Sequence, residues 1–349
     1  MEIHQLQILR ELGALGSVSA VAAALEVSPS AVSQHLAALQ RGFETPLTRK
    51  QGRTLALTEA GAVLAAAGVS VIDAMAAART AVEEFEQTRV GKVTVSGFHS
   101  AGQALFGGLI RDLAAHAPGP EVHFSDEDVA QEDFPPLTSR HDLVLAHRLE
   151  HSPPWPSAGL RVVPLLSEPL DVALAVDHPL ASRATLTSAD VAGQRWVTSR
   201  HGYSPDDVLG AVAAVANRSL EVVHRINDYG AASAVVAAGD VICLLPRFTS
   251  PAAHDDRIVL RPLTDVAAVR SIDLLARPET LRRRSVRLVV AALRRVVNDL
   301  TKVASCEDLD RADLVPDPAV PEPFRQERSA PHTSHPQPAF RVPPEYGQA

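Results

Sequence analysis

Small hydroxyl and amide side chains cluster near residue 30: Ser28, Ser30, Ser33 and Gln34, around Pro29. Such groups hydrogen-bond base edges or phosphate oxygens, and their small size lets a helix enter the major groove of DNA. Ser28 suits the N-cap of a helix, and Pro29 suits its first turn. The free N–H groups at that helix end would also favour phosphate. The run therefore predicts a DNA-recognition helix; a small helical bundle with incidental basic residues is the alternative.

Basic side chains accompany this segment, although the whole chain has a formal net charge of −8. Between residues 28 and 53 the basic residues outnumber the acidic ones by three (4 − 1): Arg41, Arg49, Lys50 and Arg53 against Glu44. Local charge decides such contacts because salt screens distant charges. We predict that Arg49, Lys50 and Arg53, in a hairpin after the recognition helix, contact phosphates or enter a minor groove.

Three short helices and this hairpin should position the polar face. Apolar residues recur at helical spacing from Ile3 to Leu12, and an alanine-rich segment ends near Leu25. Val32, Leu36 and their neighbours give the recognition helix an apolar side to bury. We therefore predict a winged helix-turn-helix domain over residues 1–58.

Residues 59–90 read as one long helix that links two domains. Its apolar residues follow a heptad pattern over three repeats: Leu64, Gly68, Val71, Met75, Ala78, Val82 and Phe85. Such a seam is typical of helix pairing between two subunits. The alternative is a single helix that packs on its own domain.

Strands and helices alternate from residue 91 to residue 302, which predicts a domain built on an open α/β sheet. We expect lobe I over residues 91–162 and 269–302, and lobe II over residues 163–268. Residues 303–349 are rich in proline and lack periodicity, so we expect a disordered tail.

Several classes of protein are disfavoured by the sequence. It contains no nucleophile elbow, no phosphate-binding loop and no HExxH motif, so we expect neither an enzyme nor a cofactor. The histidines lack a compact metal-ligand spacing, and the acidic run from Asp126 to Asp133 reads as a solvated face rather than a metal site. Cys243 lies in an apolar strand, where a buried thiol is the default. Without a secretory leader or a long uninterrupted apolar run, we expect a cytoplasmic protein with no membrane contact.

The N-terminal residues resemble the LysR-type transcriptional regulators. The matching positions are Gly16-Ser17-Val18-Ser19 through Leu25, Val27 through Leu36, Leu39, Pro46-Leu47, Arg53, Leu57-Thr58 and Ala60-Gly61. The sequence departs from the family pattern at Gln40, Thr48 and Arg41-Gly42. These departures bear on how the wing packs and not on the assignment of the domain. The resemblance implies a dimerisation helix, a two-lobed domain like periplasmic binding proteins, and a metabolite bound between the lobes.

Candidate effector contacts lie where predicted strands end, because ligands of open α/β sheets bind at the carboxyl ends of strands. By this rule and by analogy they are His99, Ser100, His147, Thr198, Ser199 and His201. A helix-capping role is the alternative for the hydroxyl groups, and a structural or solvent-facing role for the histidines.

The main hypothesis is an effector-responsive, DNA-binding transcriptional regulator. Its expected partners are double-stranded DNA, a small molecule of unknown identity and further copies of itself as a homodimer or homotetramer, with RNA polymerase as a further candidate. One rival is an effector-independent, oligomeric DNA-binding protein. The other is a solute-binding or enzymatic α/β domain that the N-terminus tethers to DNA.

Overall fold

The computed structural model describes residues 1–52, 54–86, 91–116, 118–157, 159–250 and 255–312, with only the backbone described for 83–86 and 303–312. Arg53, the end of the predicted linker and residues 313–349 lie outside the described residues. The α-helices described are α1 Ile3–Leu15, α2 Val18–Ala24, α3 Pro29–Gln40, α4 Glu59–Glu86, α5 His99–Ala115, α6 Phe134–Leu137, α7 Ser188–Val191, α8 Ser204–Val215, α9 Tyr229–Val236 and α10 Arg284–Ala312. The strands described are β1 Thr48–Gln51, β2 Thr54–Leu57, β3 Lys92–Gly97, β4 Glu121–Asp126, β5 Leu143–Leu149, β6 Arg161–Ala175, β7 Arg195–Thr198, β8 Glu221–Arg225, β9 Ile242–Pro246, β10 Ile258–Arg261 and β11 Val269–Ala276.

The N-terminal domain is a winged helix-turn-helix, as the sequence predicts. Helices α1, α2 and α3 enclose a core that includes Leu9, Val21 and Val32, all with no exposed surface. The hydroxyls of Ser17 and Ser28 cap α2 and α3 by accepting backbone N–H groups. Strands β1 and β2 pair antiparallel and form the wing.

Helix α4 divides its apolar seam between two environments. Near its start, Leu64 packs on the N-terminal core, and Gly68 lies against Leu6 of α1. Further along, Val71 and Met75 are 46% and 42% exposed. Packing on its own domain therefore accounts for the first part of the seam and leaves the side chains of its second part exposed. Phe85, the last residue of the predicted seam, has no described side chain.

One stretch of α4, Glu59–Val82, is long and apolar enough to cross a membrane by length and composition alone. In the folded chain this helix packs along α1, and Asp73 on it receives two hydrogen bonds from the Arg282 guanidinium, at 2.5 and 2.6 Å. Both contacts attach the helix to the rest of the protein.

The C-terminal domain is built on a nine-stranded sheet, counted over the described residues, in the order β4-β3-β5-β11-β6-β9-β7-β8 with β10 beside β6. In lobe I, β3 runs parallel to β4 and β5, and α5 and α10 contribute to the core against the sheet. In lobe II, β7 runs parallel to β8 and β9. Cys243 of β9 is buried as predicted, and burial raises the pKa of its thiol.

Two boundaries differ from the sequence prediction. Strand β6 is continuous over fifteen residues: up to Pro169 it pairs with β11, and from Leu170 it pairs with β9. The passage between lobes therefore lies near Pro169, rather than at residue 163, because one strand serves both halves of the sheet. Helix α10 continues to Ala312, so residues 303–312 are helical where a disordered tail was expected.

A buried ion pair joins the DNA-binding domain to lobe I. The side chain of Glu11 on α1 is 3% exposed, and its carboxylate lies 2.6 Å from the guanidinium of Arg277, the residue after β11. Burial lowers the pKa of Arg277, and the Glu11 carboxylate opposes that effect. Arg10 adds a second bond to the same lobe, 2.8 Å from Glu279 Oε1.

We expect Glu11→Ala to destabilise the protein by about 3–5 kcal/mol, because it leaves the Arg277 charge buried without a carboxylate. Urea denaturation of the full chain would measure the loss. Asp73→Ala is the matched control, since it breaks the pair with Arg282, whose side chain is 46% exposed; such pairs contribute about 0–1 kcal/mol. Equal losses of unfolding free energy in the two variants would show that the buried Glu11–Arg277 pair contributes no more to stability than the exposed Asp73–Arg282 pair.

Candidate functional site

The N-terminal part of α3 presents a small polar surface. Val32 and Leu36 point into the core, while Ser30, Ser33 and Gln34 are exposed. The Ser33 hydroxyl donates to the Pro29 carbonyl at 3.0 Å, which keeps that side chain close to the helix. The exposed face therefore has the width and chemistry that entry into a major groove requires.

The wing places further polar groups beyond this helix. Arg49 and Lys50 of β1 are both exposed. Gln40, one of the departures noted in the sequence, braces the connection: its amide nitrogen donates to the carbonyls of Phe43 and Thr45, each at 3.0 Å, and its oxygen accepts from Leu47 N–H at 2.8 Å. Gln40 thus stabilises the turn before the wing, a role that the sequence analysis missed.

A cavity lies between the two lobes at the carboxyl ends of their strands. It is lined by Phe98, His99, Ser100, Asp128, His147 and Arg270 from lobe I, and by Ser199, Tyr203, Pro205, Asn227 and Tyr229 from lobe II. Its volume is about 20 Å³, which is room for roughly one water molecule. The cleft is therefore closed in this structure.

Arg270 of β11, in the wall of the cavity, forms a buried ion pair with Glu168 of β6. The side chains are 1% and 0% exposed, and Arg270 Nε donates to Glu168 Oε2 at 2.9 Å. Glu168 Oε1 accepts the backbone N–H groups of Phe248 and Thr249 in lobe II, at 2.8 and 2.6 Å. Arg270 also donates to Ser100 Oγ of lobe I at 3.2 Å. The pair is thus fully hydrogen-bonded and ties both lobes to the junction of β6 and β11.

His147 at the back of the cavity is held uncharged. Its ring contacts Phe98 with centroids 4.6 Å apart, and Ser204 Oγ of lobe II lies 3.2 Å from its Nδ1. Burial, with a further contribution from the Arg270 charge, lowers the pKa of His147 to about 3. A neutral imidazole presents one donor and one acceptor, so this residue offers hydrogen bonds and no charge to the cavity.

His99 lies between carboxylates of the two lobes. Its Nδ1 is 3.0 Å from Asp126 Oδ2 in lobe I, and its Nε2 is 2.8 Å from Asp228 Oδ2 in lobe II. The hydrogen bond with Asp126 is the main cause that raises the pKa of His99, against a smaller opposing effect of burial.

The structure brings four of the six predicted effector residues to the cavity wall: His99, Ser100, His147 and Ser199. Ser199 Oγ also accepts the N–H of Asp206, in the first turn of α8, at 3.2 Å. Thr198 is buried behind the wall, and the exposed His201 ring lies 2.7 Å from Asp206 Oδ2. The last two residues are not among those that line the cavity.

Sequence reasoning missed five wall residues that carry polar side-chain groups: Asp128, Tyr203, Asn227, Tyr229 and Arg270. Asp128 belongs to the acidic run that was interpreted as a solvated face; it is exposed, in agreement with that interpretation, and it also borders the cavity. The signal that could have found Asp128 is its position shortly after β4, at the same sheet edge as Ser100. Arg270 gave no local signal, because its partner Glu168 is distant in the sequence.

Two family profiles match the chain over most of its length. Residues 3–62 match the bacterial regulatory helix-turn-helix protein, lysR family, and residues 86–298 match the LysR substrate binding domain. The chain belongs to the LysR family of transcriptional regulators. This LysR-family chain is thus a DNA-binding regulator, and its two domains correspond to the two that the structure shows.

Individual relatives agree with this assignment. A transcriptional regulator of Bacillus subtilis, YybE, is 24% identical over 254 residues, covering 70% of this chain and 82% of that protein. The DNA-binding transcriptional dual regulator OxyR of Escherichia coli is 24% identical over 305 residues, covering 87% and 98%. The solved structure of a full-length OxyR variant from Pseudomonas aeruginosa has the same fold, with a TM-score of 0.56, 18% identity and coverage of 84% and 98%.

We expect Gln34→Ala to weaken binding to a preferred DNA site by about 1–3 kcal/mol with little effect on random DNA, because a base contact is lost. Lys50→Ala should instead weaken binding to both DNAs and reduce the slope of log affinity against log salt by about one, because a phosphate contact is lost. Selection from random oligonucleotides would supply the site, and fluorescence anisotropy at several salt concentrations would measure both effects. Equal losses on both DNAs for Gln34→Ala would refute its role in base recognition.

Proposed function

We propose that this regulator is cytoplasmic and responds to a small molecule that binds between its two lobes. The observation that carries the proposal is the cavity walled by both lobes, because whatever fills it must change the contacts that cross between them. DNA is contacted by Ser28, Pro29, Ser30, Ser33 and Gln34 of the recognition helix and by Arg49, Lys50 and Arg53 of the wing. The effector contacts include His99, Ser100, His147 and Ser199, with Thr198 and His201 as predicted contacts behind and beside the wall.

The bonds that close the cleft run from one lobe to the other. Asp128 of lobe I accepts from Tyr203 and Asn227 of lobe II, through its carbonyl at 3.2 Å and its carboxylate at 3.3 Å. A molecule larger than water must separate these groups to enter. Part of the free energy gained from its new contacts would therefore be used to break these bonds and to change the angle between the lobes.

A change in the angle between the lobes can be transmitted to the DNA-binding domain through strand β11. Arg270 lies on strand β11, and Arg277 directly follows the end of the same strand. The Arg277 guanidinium donates a hydrogen bond to the Glu11 carboxylate of α1. Helix α1 in turn packs against the recognition helix α3. An effector would act on DNA binding only to the extent that it binds the two arrangements with different affinity.

The exposed part of α4 supports assembly into a dimer, or into a tetramer built from dimers. Val71, Met75, Ala78 and Val82 are exposed and lie on one side of the helix. They follow the heptad spacing that suits pairing with a second helix. We propose that a second copy of the chain covers this stripe. RNA polymerase is a further proposed partner, through contacts that the geometry does not specify.

We expect Ala78→Glu to raise the dissociation constant of the dimer by more than about tenfold, because it buries an unpaired charge in the seam. Ala66→Glu is the matched control: Ala66 is exposed on the same helix but points about 120° away by helical periodicity. Sedimentation at a series of concentrations would measure both variants. If Ala66→Glu dissociates the dimer equally, or Ala78→Glu leaves it intact, the stripe is not the interface.

The proposed function is tested by combining two measurements on the full chain. Sequence-preferring, salt-sensitive DNA binding should be found, and a metabolite from a screened library should raise the melting temperature by mass action, with about 2.7 kcal/mol of stabilisation at one hundred times its dissociation constant. That metabolite should change DNA affinity. Binding to DNA that no stabilising metabolite alters would favour the effector-independent, oligomeric alternative. Turnover of a metabolite by residues 91–302 would favour the enzymatic one.

A further inference from the structure

The position of His99 between the lobes requires a particular protonation state. Each ring nitrogen faces a carboxylate, Asp126 within lobe I and Asp228 across the cleft, at 3.0 and 2.8 Å. A neutral imidazole has one N–H and can donate to only one carboxylate, whereas the imidazolium can donate to both. Both carboxylates can therefore receive an N–H from the ring at the same time only when it carries a proton on each nitrogen.

A second partner is available to the neutral ring. The side-chain amide of Gln103, one turn along α5, lies 3.0 Å from His99 Nε2. Without the second proton, Nε2 can accept from this amide while Nδ1 donates to Asp126. The lone pair of Nε2 would then face the Asp228 carboxylate, and the contact between lobes would become repulsive.

Other charged groups lie at the cavity near His99. Those around His99 are Asp126, Asp128 and Asp228, with Arg200 4.0 Å from Asp128 and Arg270 already paired with Glu168. His147 stays neutral in the closed cleft. Asp228 is held in place as the N-cap of α9, where its Oδ1 accepts the Ala231 N–H at 2.6 Å. The carboxylate is thus fixed, and the imidazole is the member of the pair that changes charge near neutral pH.

We propose that the cleft senses protons: protonation of His99 latches lobe I to Asp228 of lobe II, and loss of that proton transfers the ring to Gln103 and releases the lobes. The inference rests on the proposed function, since the cleft is taken as the sensing site. Closure is stabilised below the pKa of His99 in the open state. The stabilisation is lost as the pH rises through the higher pKa of the closed state.

The test measures the cleft directly, without DNA or effector, so its failure is distinct from failure of the proposed function. In the full chain with Cys306→Ser, a fluorescence donor and acceptor are attached at Ala114→Cys on α5 and Ala214→Cys on α8, which are exposed positions on different lobes. The ratio of closed to open molecules should be several-fold higher at pH 6 than at pH 8. The change is up to about tenfold for each unit by which closure raises the pKa of His99.

Three variants decide the outcome. His99→Gln and Asp228→Asn should abolish this pH response; asparagine keeps the cap of α9. His123→Gln is the control, because its 45% exposed ring pairs with Glu121 inside lobe I alone, and it should respond like the wild type. An unaltered response in His99→Gln, or no response in the wild type, overturns the proposal.

Histidine NMR provides an independent measurement, with the His99 signal assigned by its loss in His99→Gln. The pKa of His99 should exceed 6.5 in the wild type and fall in Asp228→Asn. A pKa that Asp228→Asn leaves unchanged would show that the contact between lobes does not hold the proton, and would also overturn the proposal.

Discussion

The buried ion pair of Glu168 and Arg270 is the interaction on which the two-lobed domain depends. The two residues face each other across the β6–β11 pairing, at the point where β6 leaves lobe I. Charges without solvent are tolerated only when their hydrogen bonds are complete, and here the carboxylate binds backbone N–H groups of lobe II while the guanidinium reaches Ser100 of lobe I. The paired strands are therefore joined by a buried, hydrogen-bonded ion pair, whereas the contact of His99 with Asp228 between the lobes is partly exposed to solvent.

Strand β11 carries this constraint toward the DNA-binding domain. Arg270 lies near its start at the cavity, and Arg277 follows its end and pairs with Glu11. A strand extends about 3.3 Å per residue, so the two arginines are held roughly 23 Å apart by an element that hydrogen-bonds on both sides. Strand β11 thus connects the cleft between the lobes with helix α1, and an arginine at each of its ends pairs with a buried carboxylate.

The sequence could predict the elements whose signals are local. The cap at Ser28 and the spacing of apolar residues define the DNA-binding domain, since helix ends and buried faces are set within a few residues. At the cleft, the sequence could predict only those wall residues that directly follow a strand or end it. In the sequence, Glu11 and Glu168 cannot be distinguished from surface carboxylates. Each pairs with an arginine more than a hundred residues away, and no neighbouring residue indicates that pairing. Long-range ion pairs of this kind arise from topology, which periodicity does not encode.

Helix α4 shows why one pattern supported two interpretations. A heptad seam records which side of a helix is apolar, but not which neighbour covers it. In this chain α1 covers Gly68, while Val71 and Met75 remain exposed, so a single seam serves an internal contact and then an external one. Because Asp73 pairs with Arg282 of the C-terminal domain, the helix that would hold a second copy also touches the part of lobe I next to Arg277. Under the proposed dimer, a change in lobe I would therefore reach both the recognition helix of its own chain and the exposed stripe that the second copy would cover.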